Sequence, residues 1–383
     1  MFNIASNPGF QDTSAVLSPI EQAVLRELRR PAGVSRGELA DALNLRPNTA
    51  GDVVAGLIEL GLAREKAPEK SGPGRPRVPV ALDPDGRTVL GIALTPGRLH
   101  VAELGLTGRV IQRRQAPLPH IRDLAETSKK LIGALLHPRI WSTAIAAPGL
   151  VDRAANELTL TGLTRSRIDL SPVTKALGKT PTVIDNDMHA LAARWALTPN
   201  ASERDDDALL IRFGDGVLGA SMLVQGRPNR GCVIGGNELG HTRLPVNTPR
   251  CFCGQTGCLE RIASSAFLHQ QGASSIRTLN ELCSAWPSGT EVDDKPIAEM
   301  LELLATGLGN AANFVRPHRL VLISELSRYA TFNDALLVKL KRQMLPGIAE
   351  NCAIERWDEP LSSPGETAAY LALAGLFDQA WLG

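Results

Sequence analysis

Hydrophobic positions in the first part of the chain recur with a helical period. Residues 19–30, PIEQAVLRELRR, place apolar side chains every three or four positions and predict a helix. A second helix is predicted for SRGELADALN, where Ser35 and Glu38 have the spacing of a capping box. After a turn at 45–47, NTAGDVVAGLIELG predicts a third helix that ends near Gly61. This succession, followed by the strand-like LARE, is typical of a winged helix-turn-helix.

From about residue 88 the hydrophobic pattern changes to that of strands. The runs VLGIAL (89–94), LHVAEL (99–104) and RVIQRR (109–114) predict consecutive strands joined by turns at TPGR and GLTG. After a helix and a further strand, the same opening recurs as ALLIRF (208–213) and VLGASMLV (217–224). The recurrence predicts two similar α/β lobes facing each other across a cleft. This is the layout of actin-like sugar kinases, with ribonuclease H-like lobes that bind ligands between them.

The patterns together predict an α/β, two-lobed fold preceded by an all-α winged helix-turn-helix domain. The 383 residues suffice for two or three such parts, each with its own core. The predicted boundaries are 1–68 for the winged helix-turn-helix, 69–84 for a linker rich in proline, glycine and arginine, 85–190 for a first lobe completed by a C-terminal helix at 365–383, and 191–364 for a second lobe that carries the metal loop and the cleft.

Local features of the N-terminal segment favour DNA as a partner. The net charge is only +1, so DNA binding cannot come from the charge of the whole chain. In a helix-turn-helix the third helix enters the major groove with its first residues facing the bases, here Arg46, Asn48 and Thr49. The extended GRPR stretch carries Arg75 and Arg77, which suit the narrow minor groove of A·T-rich DNA. Two alternatives stay open: a three-helix bundle for protein contacts, and a flexible basic linker.

Three of the six cysteines lie within the stretch CFCGQTGCLE, at Cys251, Cys253 and Cys258. The sequence has no recognisable secretion signal and no membrane-length apolar run, so we expect a cytoplasmic protein that does not enter a membrane. In a reducing compartment, clustered thiols favour a metal site over disulfides. With His241 upstream they form the ligand set of a closed, tetrahedral structural zinc site, one per chain. Free buried thiols are the alternative.

A second polar cluster is predicted at the cleft. Asn186 and Asp187 stand where a strand runs into a helix, a position that simple helix capping also explains. Glu238 and His241 follow in the glycine-rich GGNELGH, and Glu260 follows the last cysteine of the metal loop. These side chains offer several hydrogen-bond acceptors, which are costly to leave unpaired in a buried site. A ligand with many hydroxyl groups, such as a sugar, would satisfy them.

The motifs AIAAPGLVD, IDND, GGNELGHTRL and CFCGQTGCLE resemble those of the ROK family of repressors, open reading frames and kinases, over about residues 85–383. The helix-turn-helix and the GRP-type linker resemble the repressor branch. The resemblance implies that Asp187 occupies the position of the catalytic base of the kinase members. It also implies that Asn186, Glu238, His241 and Glu260 contact a sugar, while zinc braces them through His241.

The phosphate-binding turns depart from those of kinase members of the family. Where the kinases carry an acid and a run of glycines, the first turn reads GIALTPGRLH, and Pro96 removes a backbone donor. A late glycine-rich turn is replaced by SELSRY, whereas RFGDGVLGA remains permissive. We therefore expect a non-enzymatic, sugar-responsive repressor that binds a palindromic operator as a homodimer or homotetramer. The alternative is an ATP-dependent sugar kinase with an added DNA-binding head.

Overall fold

The first part of the chain is a winged helix, called the head below. The computed structural model describes residues 17–69, 77–160, 166–198, 206–232, 234–273, 278–284, 295–357 and 363–382. The elements of the head are α1 (Pro19–Glu27), α2 (Arg36–Ala42), α3 (Pro47–Glu59), β1 (Ala63–Glu65) and β2 (Val80–Leu82). The predicted capping box is confirmed, since Glu38 N donates to Ser35 Oγ at 3.3 Å and Ser35 N donates to Glu38 Oε2 at 2.8 Å.

Part of the segment 69–84, which was expected to be a linker, forms the second strand of the wing. β2 pairs antiparallel with β1, with Ala63 opposite Leu82. Farther out, Glu69 and Arg77 exchange backbone hydrogen bonds of 2.7 and 3.0 Å. The chain that leaves the head at residue 69 therefore returns beside it at residue 77. The strand was missed because it is short and follows a proline, which hides its alternation of buried and half-buried residues.

The head is fastened directly to the first lobe. β2 is followed at once by a turn and the first strand of that lobe, so the connection is short. Arg87, at the end of this turn, donates from its backbone to Gly61 O at 3.0 Å and from Nε to Leu60 O at 2.9 Å. Its Nη1 donates to Pro138 O in the lobe at 2.8 Å. A single side chain thus joins the end of α3 to the lobe.

The first lobe is built on a mixed sheet with the order β10-β6-β3-β4-β5. β3 and β4 form the predicted hairpin, β5 extends it antiparallel, and β6 and β10 run parallel to β3. The elements are β3 (Thr88–Thr95), β4 (Arg98–Gly105), β5 (Val110–Pro117), α4 (Leu124–Gly133), β6 (Ile140–Ala147), β7 (Leu150–Asp152), β8 (Glu157–Thr159), β9 (Arg167–Asp169), α5 (Ser171–Leu177), β10 (Thr182–Asn186) and α6 (Asp187–Ala196).

The second lobe repeats the same sheet, with the order β15-β14-β11-β12-β13 and the same strand directions. Its elements are β11 (Ala208–Gly214), β12 (Val217–Val224), β13 (Arg227–Pro228), α7 (Leu259–Ile262), α8 (Ser265–Gln270), α9 (Leu279–Ser284), α10 (Lys295–Val315), β14 (Arg319–Ile323), α11 (Ala330–Gln343), α12 (Pro346–Asn351) and β15 (Ala353–Arg356). The two-lobed α/β fold predicted from the recurring hairpin is therefore confirmed.

The last helix, α13 (Pro364–Phe377), returns to the first lobe and packs on β3, β4 and β6. Gly91 permits the close approach, because an added Cβ there would overlap the backbone of Ala369. α13 also packs against α6, which runs across the expected lobe boundary at residue 190. Apolar residues of the head, α13 and one face of each lobe's sheet share one core, and the opposite face of each sheet has a core of its own. Within the described residues, no helix is long and apolar enough to cross a membrane.

Candidate metal centre and adjoining cleft

The four residues predicted to bind a metal lie together. The ligand atoms of His241, Cys251, Cys253 and Cys258 are all within 4.8 Å of one another. His241 Nδ1 is 3.7 Å from Cys251 Sγ, and the sulfur atoms of Cys253 and Cys258 are 3.6 Å apart. Metal–sulfur bonds of about 2.3 Å in a tetrahedron place the sulfur atoms about 3.8 Å apart. The cluster therefore has the donor atoms and the spacing to hold a metal ion that prefers tetrahedral nitrogen and sulfur ligands.

Glycines shape the loop that carries the thiols. Gly254 and Gly257 adopt φ values of 94° and 82°, which side chains rarely adopt. An added Cβ at Gly257 would also overlap the carbonyl oxygen of Leu244. The loop ends at Cys258, which is the residue before α7. A metal ion held by these residues would therefore fix the start of the helix that carries Glu260.

All five residues predicted to bind sugar line one cleft beside this cluster. Asn186 and Asp187 come from the first lobe, and Glu238, His241 and Glu260 come from the second. Arg212 and Phe252 also line the cleft and were not predicted from the sequence. Arg212 could have been noticed as the one charged residue in the apolar strand ALLIRF, whereas the position of Phe252 depends on the fold of the metal loop.

Asn186 is the N-cap of α6, as the capping alternative states. Its Oδ1 accepts from Met188 N at 2.8 Å, and its Nδ2 donates to Gly149 O at 2.9 Å. An amide can accept twice through oxygen and donate twice through nitrogen, so half of its capacity is left for a ligand. Capping and ligand binding are therefore compatible at this residue.

The carboxyl groups of the cleft resist ionisation. Burial raises the pKa of Asp187, and the positive charge of Arg212 opposes this rise. Burial also raises the pKa of Glu238, and the neighbouring charge of Asp187 adds to the effect. Burial raises the pKa of Glu260 to about 7. A ligand that donates hydrogen bonds from hydroxyl groups would compensate this concentration of acceptors.

His241 connects the metal cluster to the cleft through its two ring nitrogens. Nδ1 faces Cys251 Sγ, whereas Nε2 lies 3.6 Å from Glu238 Oε2. The ring of Phe252 packs against the imidazole edge-to-face, with centroids 5.3 Å apart. Burial lowers the pKa of His241, which favours the neutral imidazole that binds metals.

A buried ionic cluster lies directly behind the cleft. Asp185, the residue before Asn186, is fully buried and accepts from Arg230 Nε at 2.8 Å and Arg153 Nη2 at 3.1 Å. His189 Nδ1 is 2.7 Å from its other oxygen. Burial opposes ionisation of Asp185, but the hydrogen bond to His189 and the two guanidinium charges outweigh it and lower the pKa to about 2. Asp185 is therefore an ionised carboxylate that holds two arginines.

Two of the turns that correspond in sequence to phosphate-binding turns of kinases carry residues that disfavour a phosphate. β3 and β4 are joined by Pro96 and Gly97 in a tight hairpin turn, with Thr95 opposite Arg98. Proline has no N–H to offer to a phosphate. In the β11–β12 turn, Asp215 Oδ1 accepts from Ser265 N at 2.7 Å. The turn that the sequence left permissive thus carries a carboxylate, whose negative charge disfavours a phosphate.

The residues predicted to bind DNA separate into two groups. Arg46 and Asn48 are exposed at the start of α3, and Thr49 is half-buried there. Arg77, by contrast, forms ion pairs with Glu38 at 2.7 Å and Glu69 at 3.1 Å. It stabilises the wing against α2, so its guanidinium is not directed away from the head. Arg75 lies outside the described residues.

The sequence profile of the ROK family matches residues 91–373, and the chain belongs to this family. The xylose repressor of Caldicellulosiruptor bescii is 24% identical over 341 residues, which cover 80% of this chain and 82% of that protein. The N-acetyl-D-glucosamine kinase of Citrobacter koseri is 32% identical over 186 residues, 45% of this chain and 60% of the kinase. A crystal structure described as a ROK family transcriptional regulator, homolog of E. coli Mlc, aligns with a TM-score of 0.73 at 21% identity, covering 95% of this chain and 100% of that one.

Replacing the buried carboxylate in Asp185→Asn should lower the free energy of unfolding by about 3 kcal/mol at pH 7, because two buried guanidinium groups lose their counter-charge. The native pKa of Asp185, about 2, lies below its ordinary value of 3.8, so its stabilisation is present above pH 3.8 and is lost as the pH falls towards 2. The difference in free energy of unfolding between the variant and wild type should therefore become smaller as the pH falls from 3.8 towards 2. Denaturant unfolding at several pH values measures it, with the exposed Asp123→Asn as control. If the difference in free energy of unfolding does not change with pH, Asp185 is not an ionised carboxylate with a lowered pKa.

Proposed function

We propose that the protein is a sugar-responsive transcriptional repressor. The observation that carries the proposal is that one chain joins a winged helix with an exposed third helix to a two-lobed cleft lined by polar side chains. The likeness to a xylose repressor, over most of both chains, supports the same function. A repressor acts beside the DNA, and we place this protein in the cytoplasm.

The head would bind DNA through α3 in the major groove, with Arg46, Asn48 and Thr49 at the base edges. We assign Arg75 to the minor groove, because it lies in the basic segment between the two strands of the wing. Arg77 would act indirectly, by holding the wing on α2. A homodimer or homotetramer would present two heads to the two halves of a palindromic operator.

A sugar would bind across the cleft and draw the lobes together. The first lobe supplies Asn186 and Asp187, and the second supplies Glu238, His241 and Glu260. A ligand that hydrogen-bonds to both sides prefers the arrangement in which the lobes are close. It can alter DNA binding only if the two lobe arrangements have different affinities for the operator.

We propose zinc as the metal of the cluster, one ion per chain, held by His241, Cys251, Cys253 and Cys258. Zinc matches this closed set of nitrogen and sulfur ligands. It would serve as a brace and not as a catalyst. With Nδ1 directed at the cluster, Nε2 of His241 is available to a sugar hydroxyl.

A second candidate is an ATP-dependent sugar kinase with a DNA-binding head. Asp187 lines the cleft, the family resemblance implies that it occupies the position of a catalytic base, and part of the chain resembles an N-acetyl-D-glucosamine kinase. Against it stand Pro96 in the first turn and Asp215 in the middle one. We therefore favour a sensor without phosphoryl transfer.

Calorimetric titration with D-xylose, D-glucose, N-acetyl-D-glucosamine and their phosphates, each with and without ATP, distinguishes the two candidates. We expect one or more of these compounds to bind whether or not ATP is present, with no phosphorylated product by mass spectrometry. Product formation that Asp187→Asn abolishes would overturn the sensor in favour of the kinase. Absence of binding by every compound would contradict both.

Replacing the exposed arginine in Arg46→Ala should weaken binding to a duplex that the wild-type protein selects from a random library. We expect a loss of about 1–3 kcal/mol if Arg46 contacts a base. Fluorescence anisotropy at several salt concentrations measures the affinity. Arg167→Ala, an exposed arginine of the first lobe, is the control. Equal affinity of the Arg46 variant and wild type would remove α3 from the DNA interface.

Removing one thiol in Cys253→Ser should reduce the metal content from one zinc per chain to well below that, measured by mass spectrometry of the native protein. The affinity for the sugar identified in the titration should fall by about tenfold or more, because His241 and Glu260 lose their brace. Cys232→Ser, at an exposed cysteine outside the cluster, is the matched control. If Cys253→Ser loses zinc and keeps full sugar affinity, the bracing role is wrong.

A further inference from the structure

The end of the chain touches the head and both lobes. We call residues Asp378–Leu382, which follow α13, the C-terminal clasp. We propose that the C-terminal clasp transmits a change in the arrangement of the lobes to the DNA-binding head. The proposal rests on the proposed function for its ligands, but the mechanical link that it describes can be tested without them.

Two arginines, one from each lobe, donate hydrogen bonds to the backbone of the clasp. Arg230, just after β13 of the second lobe, donates to Ala380 O and Trp381 O at 2.8 Å each. Arg153 of the first lobe donates to Leu382 O at 2.5 Å. Both also bond to Asp185, and their side chains are only 13% and 9% exposed. One buried carboxylate thus joins the second lobe, the first lobe and the clasp.

On the side of the head, α1 lies against the clasp and the end of α13. Gln379 Nε2 donates to Leu17 O at 2.8 Å, and Gln379 N donates to Gln22 Oε1 at 3.4 Å. Arg26 Nη1 donates to Phe377 O at 3.0 Å. α1 in turn packs on α3, the helix proposed to read DNA. A displacement of the clasp would therefore reach the DNA-reading helix through α1.

Asp378 joins the head to the second lobe. Its Oδ2 is 3.3 Å from Arg227 Nε, on β13, and 3.9 Å from Arg26 Nη1, on α1. Its Oδ1 accepts from Ala380 N at 2.9 Å and caps the last turn of the chain. The side chain of Asp378 is 24% exposed, so the ion pairs are partly shielded from water.

These contacts make the position of the clasp depend on the cleft. Asp185 directly precedes the two cleft residues of the first lobe, whereas Arg227 and Arg230 move with the second lobe. If the lobes approach each other, the clasp cannot keep its bonds to both in the same geometry. Leaving a buried hydrogen-bonding group unpaired is unfavourable. The clasp must therefore shift or lose its bonds to one lobe, and when it shifts, α1 must follow or lose its bond to Gln379.

The test uses two conservative variants and a control in the full-length protein. Arg230→Lys keeps a positive charge beside Asp185, but an ammonium group lacks the planar fork that bonds the carboxylate and both carbonyls. Asp378→Asn keeps the cap on Ala380 N and removes the charge that attracts Arg26 and Arg227. Arg319→Lys is the matched control, since Arg319 also forms two ion pairs in the second lobe, with Asp206 and Glu355.

The first measurement is hydrogen–deuterium exchange of the α1 amides, with neither sugar nor DNA added. We expect exchange in α1 to be about tenfold faster in Arg230→Lys and Asp378→Asn than in wild type, because the clasp against which α1 packs is held less firmly. Arg319→Lys should match wild type. Unchanged exchange in α1 in both variants would overturn the link, whatever the ligand or the DNA proves to be.

The second measurement is the ratio of DNA affinities with and without saturating D-xylose or N-acetyl-D-glucosamine, on the selected duplex. In wild type and Arg319→Lys we expect one of these sugars to change the affinity by about fivefold or more. In the two clasp variants the ratio should fall close to one, while each still binds sugar. A variant ratio equal to that of wild type would overturn the relay. If α1 exchanges faster in the two variants than in wild type, but the wild-type protein binds neither sugar nor DNA, the proposed function is wrong and the mechanical link stands.

Discussion

The ion pairs that the buried carboxylate of Asp185 forms with two arginines organise the centre of this protein. Asp185 has no access to water, and an ion in such a place is stable only with partners that replace its hydration. Its partners Arg153 and Arg230 come from different lobes and reach onward to the backbone at the chain end. Because removal of any one member would leave a buried charge uncompensated, this cluster couples the position of each lobe to that of the clasp and of the strand leading into the cleft.

The two walls of the cleft are positioned by different lobes. A metal ion bound by the four-residue cluster would fix the imidazole of His241 and the start of α7, which carry His241 and Glu260 at the cleft. The first lobe positions Asn186 and Asp187 with the N-terminus of α6. Each wall is therefore preorganised by its own lobe. Ligand binding then has to change the distance between the walls more than the walls themselves, which suits a protein that reports occupancy through the movement of domains.

Features encoded by local patterns could be predicted from the sequence. The capping box at Ser35, the repeated hairpins and the cysteine loop depend on residues close in the chain, and each is found as expected. The ionic cluster could not be predicted, because Asp185 and Arg230 are 45 positions apart and no local pattern connects them. Arg77 was assigned to DNA from its basic surroundings, but its acidic partner Glu38 lies 39 positions away, in a capping box that already explained that residue.

The attachment of the head bears on the DNA that the protein can recognise. Residues 77–82, from the segment expected to be a linker, pair within the wing, and Arg87 joins the end of α3 to the first lobe. If the protein acts as a symmetric oligomer, heads attached in this way would bind two half-sites whose distance and helical phase are set by how the subunits are joined. Inserting about five base pairs, half a turn of the double helix, would turn one half-site to the opposite face of the DNA. In a symmetric assembly of such chains, the protein would therefore select operators by the spacing of their half-sites.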